Sequence, residues 1–166
     1  NALKGEFSPQ VAGGVDVFSM RQPVGVVACI TPWNFPFWIL SQKLPFALAA
    51  GCTCVIKPSE MTSATTVMMG ELLIEAGLPA GVVNIVLGYG QPVGSLMTTH
   101  KHVDMVTFTG STAVGKTITS LASGTLKKVA LELGGKGAHL VFPDADLRIA
   151  AGRSGARHEL QCEYEW

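Results

Sequence analysis

Short apolar runs alternate with stretches of helical spacing along this chain, and that alternation limits the fold more than any single residue does. The runs are Val24–Ile30, Cys52–Lys57, Val82–Leu87, Val103–Phe108 and Lys127–Leu133, with a further one at His139–Phe142 beyond Gly134-Gly135-Lys136-Gly137. Between them, Phe37–Ala50 reads as one helix that tolerates Pro45, and Ala64, Val67, Met68 and Leu72 recur at helical spacing with Glu71 and Glu75 on another face. Gly51, Gly77 and Pro79 supply stop signals, Val93–Thr98 reads as a weak helix, and Ala113–Ala122 as a clearer one. Unbroken apolar runs belong to strands buried on both faces, and strands alternating with helices through short loops specify a parallel sheet wound on both sides. The predicted fold class is therefore α/β, a doubly wound, mostly parallel sheet. Such sheets bind ligands at the carboxyl ends of their strands, and Asn34, Lys57, Glu60, the Gly110 loop and Glu132 all fall at or near those ends.

The loop Phe108-Thr-Gly-Ser-Thr-Ala-Val-Gly-Lys116-Thr117 joins a strand to a helix, which makes it a candidate phosphate site. The first amides of a helix lack partners within it and carry the positive end of its dipole, and Gly110 lets the backbone come close. Three readings fit the loop. Gly110-x-x-x-x-Gly115-Lys116-Thr117 satisfies the P-loop expression of nucleoside triphosphatases; a dinucleotide site in an oxidoreductase is the second; a helix N-terminus capped by Ser111 or Thr112, with no ligand, is the third. Gly88-Tyr-Gly90-Gln-Pro-Val-Gly94 misses the G-x-G-x-x-G fingerprint by one residue and reads as a turn.

Composition narrows the partners. The 166 residues fit one domain, and Lys plus Arg balance Asp plus Glu at 12 each, with no basic stripe, so nucleic acid is not an expected partner. Charged residues make up only 14%, below the usual quarter or so, as expected of a piece whose faces something else covers. Cys29, Cys52, Cys54 and Cys162 match no zinc or Cys-x-x-Cys spacing, and Cys52 and Cys54 read as small buried thiols on one side of a strand. His100 and His102 read as solvated loop residues. The apolar region Cys29–Ile56 is interrupted by Pro32, Asn34, Pro36, Gln42, Lys43 and Pro45, so no membrane span is expected, and with no targeting segment the expected compartment is the cytoplasm. Residues 1–22 read as the polar end of an upstream segment, with an alternating patch at Val15 and Val17.

In order and spacing, Thr31-Pro-Trp-Asn-Phe-Pro36, Lys57-Pro-Ser-Glu60, Phe108-Thr-Gly-Ser111 with Gly115, and Leu131-Glu-Leu-Gly-Gly-Lys136 resemble the aldehyde dehydrogenase superfamily, over about Pro23 to about Leu147. The resemblance implies a Rossmann-like cofactor domain at 23–147, incomplete relative to the family, and NAD(P)-dependent oxidation of a small-molecule aldehyde to a carboxylic acid. In that chemistry a cysteine thiolate attacks the aldehyde, hydride leaves to the nicotinamide, and water hydrolyses the thioester. Asn34 matches the oxyanion donor and Glu132 the general base for water. Beside two glycines and flanked by Leu131 and Leu133, Glu132 is expected to be weakly solvated. Lys57 and Glu60 match positions that hold the adenosine ribose, where a carboxylate repels a 2′-phosphate and favours NAD over NADP. Ser111 and nearby amides match the pyrophosphate contacts. The implied cofactor set is completed by Thr31, Pro32, Trp33, Ser59, Gly90, Gly94, Phe108, Thr109, Gly110, Leu133 and Gly134. No metal is implied, Lys116 needs no phosphate role, and the family suggests a homo-oligomer whose oligomerisation segments are absent from these residues.

The chain departs from the family pattern at its end. The Gly-Gln-x-Cys setting of the nucleophile is missing, and Cys162 in Glu159-Leu-Gln-Cys-Glu-Tyr is the one downstream candidate. Gly137-Ala138 stands where the family usually has a proline nearby. Residues 148–166 rise in charge and lose apolar periodicity, as a truncated or frame-shifted end would. The expectation is a cofactor half of a dehydrogenase, inactive by itself. A P-loop phosphohydrolase, with Asp144 of Val141-Phe-Pro-Asp144 as a magnesium carboxylate, and a non-catalytic dinucleotide-binding fragment are the alternatives.

Overall fold

A computed structural model describes residues 4–135, 138 and 140–152. The chain opens with a hairpin, β1 (Glu6–Ala12) and β2 (Val15–Ser19), turned by Gly13 and Gly14 at φ 58° and 86°. Two successive positive φ values are what a tight hairpin turn needs, and glycine supplies them at no steric cost. The strands pair antiparallel, with the rings of Phe7 and Phe18 stacked 4.6 Å apart.

The second sheet holds β3 (Val26–Ile30), β4 (Thr53–Lys57), β5 (Val83–Ile85), β6 (Met105–Gly110) and β7 (Lys128–Leu133), all parallel, in the order β5-β4-β3-β6-β7. The doubly wound fold expected from the apolar runs is present. The chain works outward from β3 to β5, then crosses back to lay β6 on the other side of β3. Strand order therefore reverses between β3 and β6, where a doubly wound sheet opens a crevice at its carboxyl edge.

Register assigns the faces. Val27, Cys29, Cys54 and Ile56 pack under α1 (Pro36–Ser41), α2 (Leu44–Ala49) and α3 (Ser63–Glu75), with Leu40 and Leu44 at the centre. Ala28, Ile30, Val106 and Phe108 pack on the opposite face against Met97 of α4 (Ser95–Thr99) and Ile118 of α5 (Thr112–Ser123). Fully burying side chains such as Leu40, Ile56 and Val106 stabilises the fold by about 1.5–3 kcal/mol each. Cys52 and Cys54 are buried in the first cluster, as their spacing predicts, and His100 and His102 are exposed.

Two predicted elements differ. Phe37–Ala50 is not one helix: it breaks at Gln42-Lys43, because Pro45 cannot donate to the turn before it and is accommodated only in the first turn of a new helix. The run at His139–Phe142 forms no strand over its described residues, Leu140, Val141 and Phe142, which are exposed; His139 lies outside the described residues. No described strand lies beside β7 to receive it. Residues 147–152 are helical, and the rest of the predicted tail, including Cys162, lies outside the described residues.

Candidate functional site

The crevice between β3 and β6 holds a cleft of ≈ 450 Å³, within the usual range for small-molecule and cofactor sites. Its floor is built by the turn that leaves β3. Thr31, 3% exposed, donates its backbone N–H to Lys57 O at 3.1 Å, which ties this turn to the end of β4. Three residues on, Asn34 is 6% exposed, and Phe35 takes a left-handed φ of 47° to start α1. A bulky residue there costs about 1–3 kcal/mol and persists only where its surroundings hold it. Thr31 Oγ1 and Asn34 Nδ2 are both buried without a hydrogen-bond partner. Unpaired buried polar atoms are expensive, so two on one turn at a cleft mark a place built to receive polar groups.

Lys57 closes one wall. Its Nζ donates to Pro58 O at 2.9 Å and lies 3.8 Å from Oε2 of the exposed Glu60. Burial pulls the ammonium below its usual pKa while the Glu60 carboxylate works the other way. Gly94 lies against this lysine, where an added Cβ would come to 3.9 Å from Lys57 Cδ.

The opposite wall is the β6–α5 junction. β6 runs through Gly110, and Ser111 caps α5, its Oγ accepting from the Val114 N–H at 3.3 Å and its carbonyl from the Gly115 N–H at 3.0 Å. By helix geometry the amides of Thr112 and Ala113 remain as first-turn donors beside the cleft. The ring of Phe108 lies over the bare Cα of Gly110, where a Cβ would meet Phe108 Cζ at 2.5 Å. This geometry removes the P-loop reading. Gly115 and Lys116 sit inside α5, not in a loop around a phosphate, and Gly115 is small because Leu133 Cδ2 would lie 2.6 Å from a Cβ there. Asp144, its proposed magnesium ligand, follows no strand.

Of the residues expected to bind cofactor, all from Thr31 to Ser111 line this cleft. Leu133 and Gly134 do not, and neither does Glu132. The pleat turns Glu132 to the other face of the sheet, where it opens on a second cleft with Lys43 and Thr107; Thr109, its register partner on β6, borders both clefts. Glu132 is exposed, not weakly solvated as its flanking leucines predict, because the cluster under α1–α3 includes no β7 residue. Lys43 is the residue there that sequence reasoning missed. Its Nζ donates to Thr107 Oγ1 at 2.9 Å, and burial lowers its pKa against the opposing pull of Cys29 and Glu132. Only the break between α1 and α2 turns Lys43 toward the sheet, and a single-helix reading hides it. Val114, Ile118 and Leu121 also line the first cleft. Their helical spacing marks one face of α5 but not what lies opposite.

Cys29, Cys52 and Cys54 are unpaired and buried. Hydrogen bonding to Cys54, then burial, pushes the Cys29 thiol up, while the same bond lowers Cys54. None of the three lines the cleft with Asn34. Among the described residues, no helix is long and apolar enough to cross a membrane.

Comparison with known proteins agrees with the motifs. The model of the aldehyde dehydrogenase family matches residues 1–156. The chain is 50% identical over 131 residues to a mitochondrial succinate-semialdehyde dehydrogenase of Arabidopsis thaliana, covering 79% of this chain and 25% of that protein. It is also 50% identical over 135 residues to a betaine aldehyde dehydrogenase of Bacillus subtilis, covering 81% and 28%. Among solved structures, an NAD-dependent aldehyde dehydrogenase from Sinorhizobium meliloti superposes with a TM-score of 0.86 at 50% identity, over 91% of this chain and 30% of that one. A betaine aldehyde dehydrogenase from Staphylococcus aureus, solved in complex with NAD+, gives 0.85 at 43% identity, over 90% and 30%. The chain thus spans under a third of the length of these proteins.

Proposed function

The chain belongs to the aldehyde dehydrogenase family, and we propose that it is the part that binds NAD and polarises the aldehyde carbonyl in the oxidation of an aldehyde to a carboxylic acid. The observation that carries the reading is the cleft at the β3–β6 switch. There Thr31 and Asn34, each with an unpaired buried polar atom, the buried Lys57 paired with Glu60, and Ser111 at the start of α5 line one space.

The residues fit the group. Amides at the start of α5 and the Ser111 hydroxyl suit a pyrophosphate, and Lys57 with Glu60 suits the two hydroxyls of a ribose. The Glu60 carboxylate disfavours a 2′-phosphate, so NAD is preferred and NADP is the weaker ligand. When bound, the nicotinamide accepts the hydride released by the substrate carbon. Asn34 acts on the oxygen of that carbon: its Nδ2, buried without a partner, donates to the oxyanion that forms when a nucleophile adds, a contact worth about 10²–10³ in rate in comparable sites. Glu132, at the carboxyl end of β7 and in register with Thr109, is the residue assigned to take the proton of the water that releases the acid. In the family chemistry the nucleophile is a cysteine thiolate, and the buried Cys29, Cys52 and Cys54 do not supply it. The described residues alone are therefore expected to bind cofactor without turnover. Three unpaired thiols support a reducing compartment, the cytoplasm on this reading, and the family pattern supports a homo-oligomer.

The relatives named above are named for different aldehydes, succinate semialdehyde in one and betaine aldehyde in the other, so the substrate is proposed only as a small aldehyde. Calorimetric titration of the chain with NAD+, NADP+ and ATP tests the reading. Saturable binding of NAD+, weaker binding of NADP+ and no ATP turnover are expected. Absence of NAD+ binding, or ATP hydrolysis lost in Lys116→Ala, overturns it.

A further inference from the structure

We propose that Lys43 is a carbonyl-binding site in its own right, its Nζ holding a small uncharged aldehyde as a reversible imine in the second cleft. The proposal stands apart from the cofactor reading, since Lys43 does not line the β3–β6 cleft. The second cleft measures ≈ 600 Å³, and its walls are largely apolar, with Val27, Ile39, Phe46 and Met105 among them. Lys43 brings a half-buried amine into this space. The helix break fixes it: Lys43 N–H donates to Leu40 O at 3.0 Å in α1, and its carbonyl accepts from the Ala47 N–H at 3.1 Å in α2. From there Nζ reaches Thr107 Oγ1 at 2.9 Å, and among the described residues no carboxylate forms a salt bridge with it.

An amine attacks a carbonyl through its free electron pair, so a lysine becomes a nucleophile where its surroundings disfavour the ammonium. Burial does this for Lys43. Cys29 on β3 and Glu132 on β7 oppose it, and Cys52 is the other ionisable side chain on the cleft. The electron pair of Nζ adds to the aldehyde carbon, and the carbonyl oxygen takes up a proton to give a carbinolamine. Loss of that oxygen as water leaves a C=N bond, so one aldehyde and one amine give one imine and one water with no change of oxidation state. Glu132 and the Thr107 hydroxyl, both on the cleft, are at hand for the proton transfers. The apolar walls suit a hydrocarbon tail, and Glu132 disfavours an aldehyde that carries a carboxylate. Lys101 and Lys128 are exposed and border neither cleft, while the buried Lys57 is held by Pro58 O and Glu60.

The test incubates the chain with hexanal and sodium cyanoborohydride, which reduces an imine to a stable secondary amine, and peptide mass mapping then gives a rate at each lysine. Near neutral pH Lys43 is expected to be alkylated about 10-fold faster than Lys101 and Lys128, through its larger free-amine fraction and the aldehyde held beside it. Its rate is expected to saturate with hexanal, as binding before reaction requires, while theirs rises linearly. In urea the preference is expected to vanish, and with glyoxylate, which carries a carboxylate, it is expected to be lost. A Lys43 rate no greater than that of the exposed lysines, a linear dependence on hexanal, or a preference that survives in urea overturns the proposal. An equal preference with glyoxylate overturns the assignment to uncharged aldehydes. None of these outcomes touches the reading of the β3–β6 cleft, which stands or falls by the NAD+ titration.

Discussion

Gly110→Ala probes both the stability of the sheet and the geometry of the phosphate turn. A Cβ on Gly110 would lie 2.5 Å from Phe108 Cζ and 3.1 and 3.2 Å from two neighbouring ring carbons, where ordinary contact begins at 3.4 Å. Either the ring or the backbone has to yield by nearly an ångström. Phe108 is 6% exposed and packed among Ile30, Val106, Met97 and Ile118, so its ring yields only by disturbing that packing or by moving into the cleft it lines. Forcing an extra carbon into such packing costs about 1–3 kcal/mol. For a domain of this size each kilocalorie moves the melting temperature by about 2–4 °C, so the expected fall is about 2–12 °C. If the backbone yields instead, the Ser111 cap moves with it, and NAD+ binding weakens along with the melt. Circular-dichroism melts with and without NAD+, beside a titration, separate the two responses. A variant that melts with the parent and binds NAD+ equally well would refute the claim that glycine is required here for close approach.

Three further outcomes follow from the same geometry. Leu40→Ala, at a fully buried position between α1 and the sheet, is expected to lose about 2–5 kcal/mol in urea unfolding; a loss under about 1 kcal/mol would mean that the cluster under α1–α3 is not a packed core. Glu60→Gln removes the carboxylate 3.8 Å from Lys57 Nζ and is expected to narrow the preference for NAD+ over NADP+; an unchanged affinity ratio would free Glu60 of any part in cofactor choice. For Lys57, burial lowers the folded pKa below 10.5, so between the two values the unfolded chain holds more protons and stability rises with pH. The stability of the parent minus that of Lys57→Met is therefore expected to climb as pH rises toward 10.5 and level off above it, as read from urea midpoints; a difference that falls over that window would reverse the sign of the burial effect.

Helix breaks and strand pairing were the features that periodicity read least well. An apolar run shows that a segment can be buried, not that a neighbour exists to bury it, and so Leu140–Phe142 reads as a strand yet lies exposed. The Phe37–Ala50 pattern carries helical spacing through Pro45, but the chain resolves the missing proline donor by starting a second helix, which also turns Lys43 onto the sheet beside Thr107. The P-loop expression failed for a related reason: a spacing of glycines and a lysine is satisfied equally by a loop and by the first turns of a helix, and only the Ser111 cap shows where the helix begins.

Sequence alone determined the parallel sheet, since runs apolar on both faces are stable only between two layers of helices, and it determined which residue types gather at the carboxyl edge. The four motifs also mark the family on their own. Tertiary structure decided which of those edge residues share a space. The reversal of strand order between β3 and β6 opens the cleft that collects Thr31, Asn34, Lys57 and Ser111, and the alternation of side chains along β7 sends Glu132 to the opposite face. Linear spacing fixes the side of a strand on which a residue lies relative to its neighbours in sequence, whereas which helices cover that side is set by long-range packing.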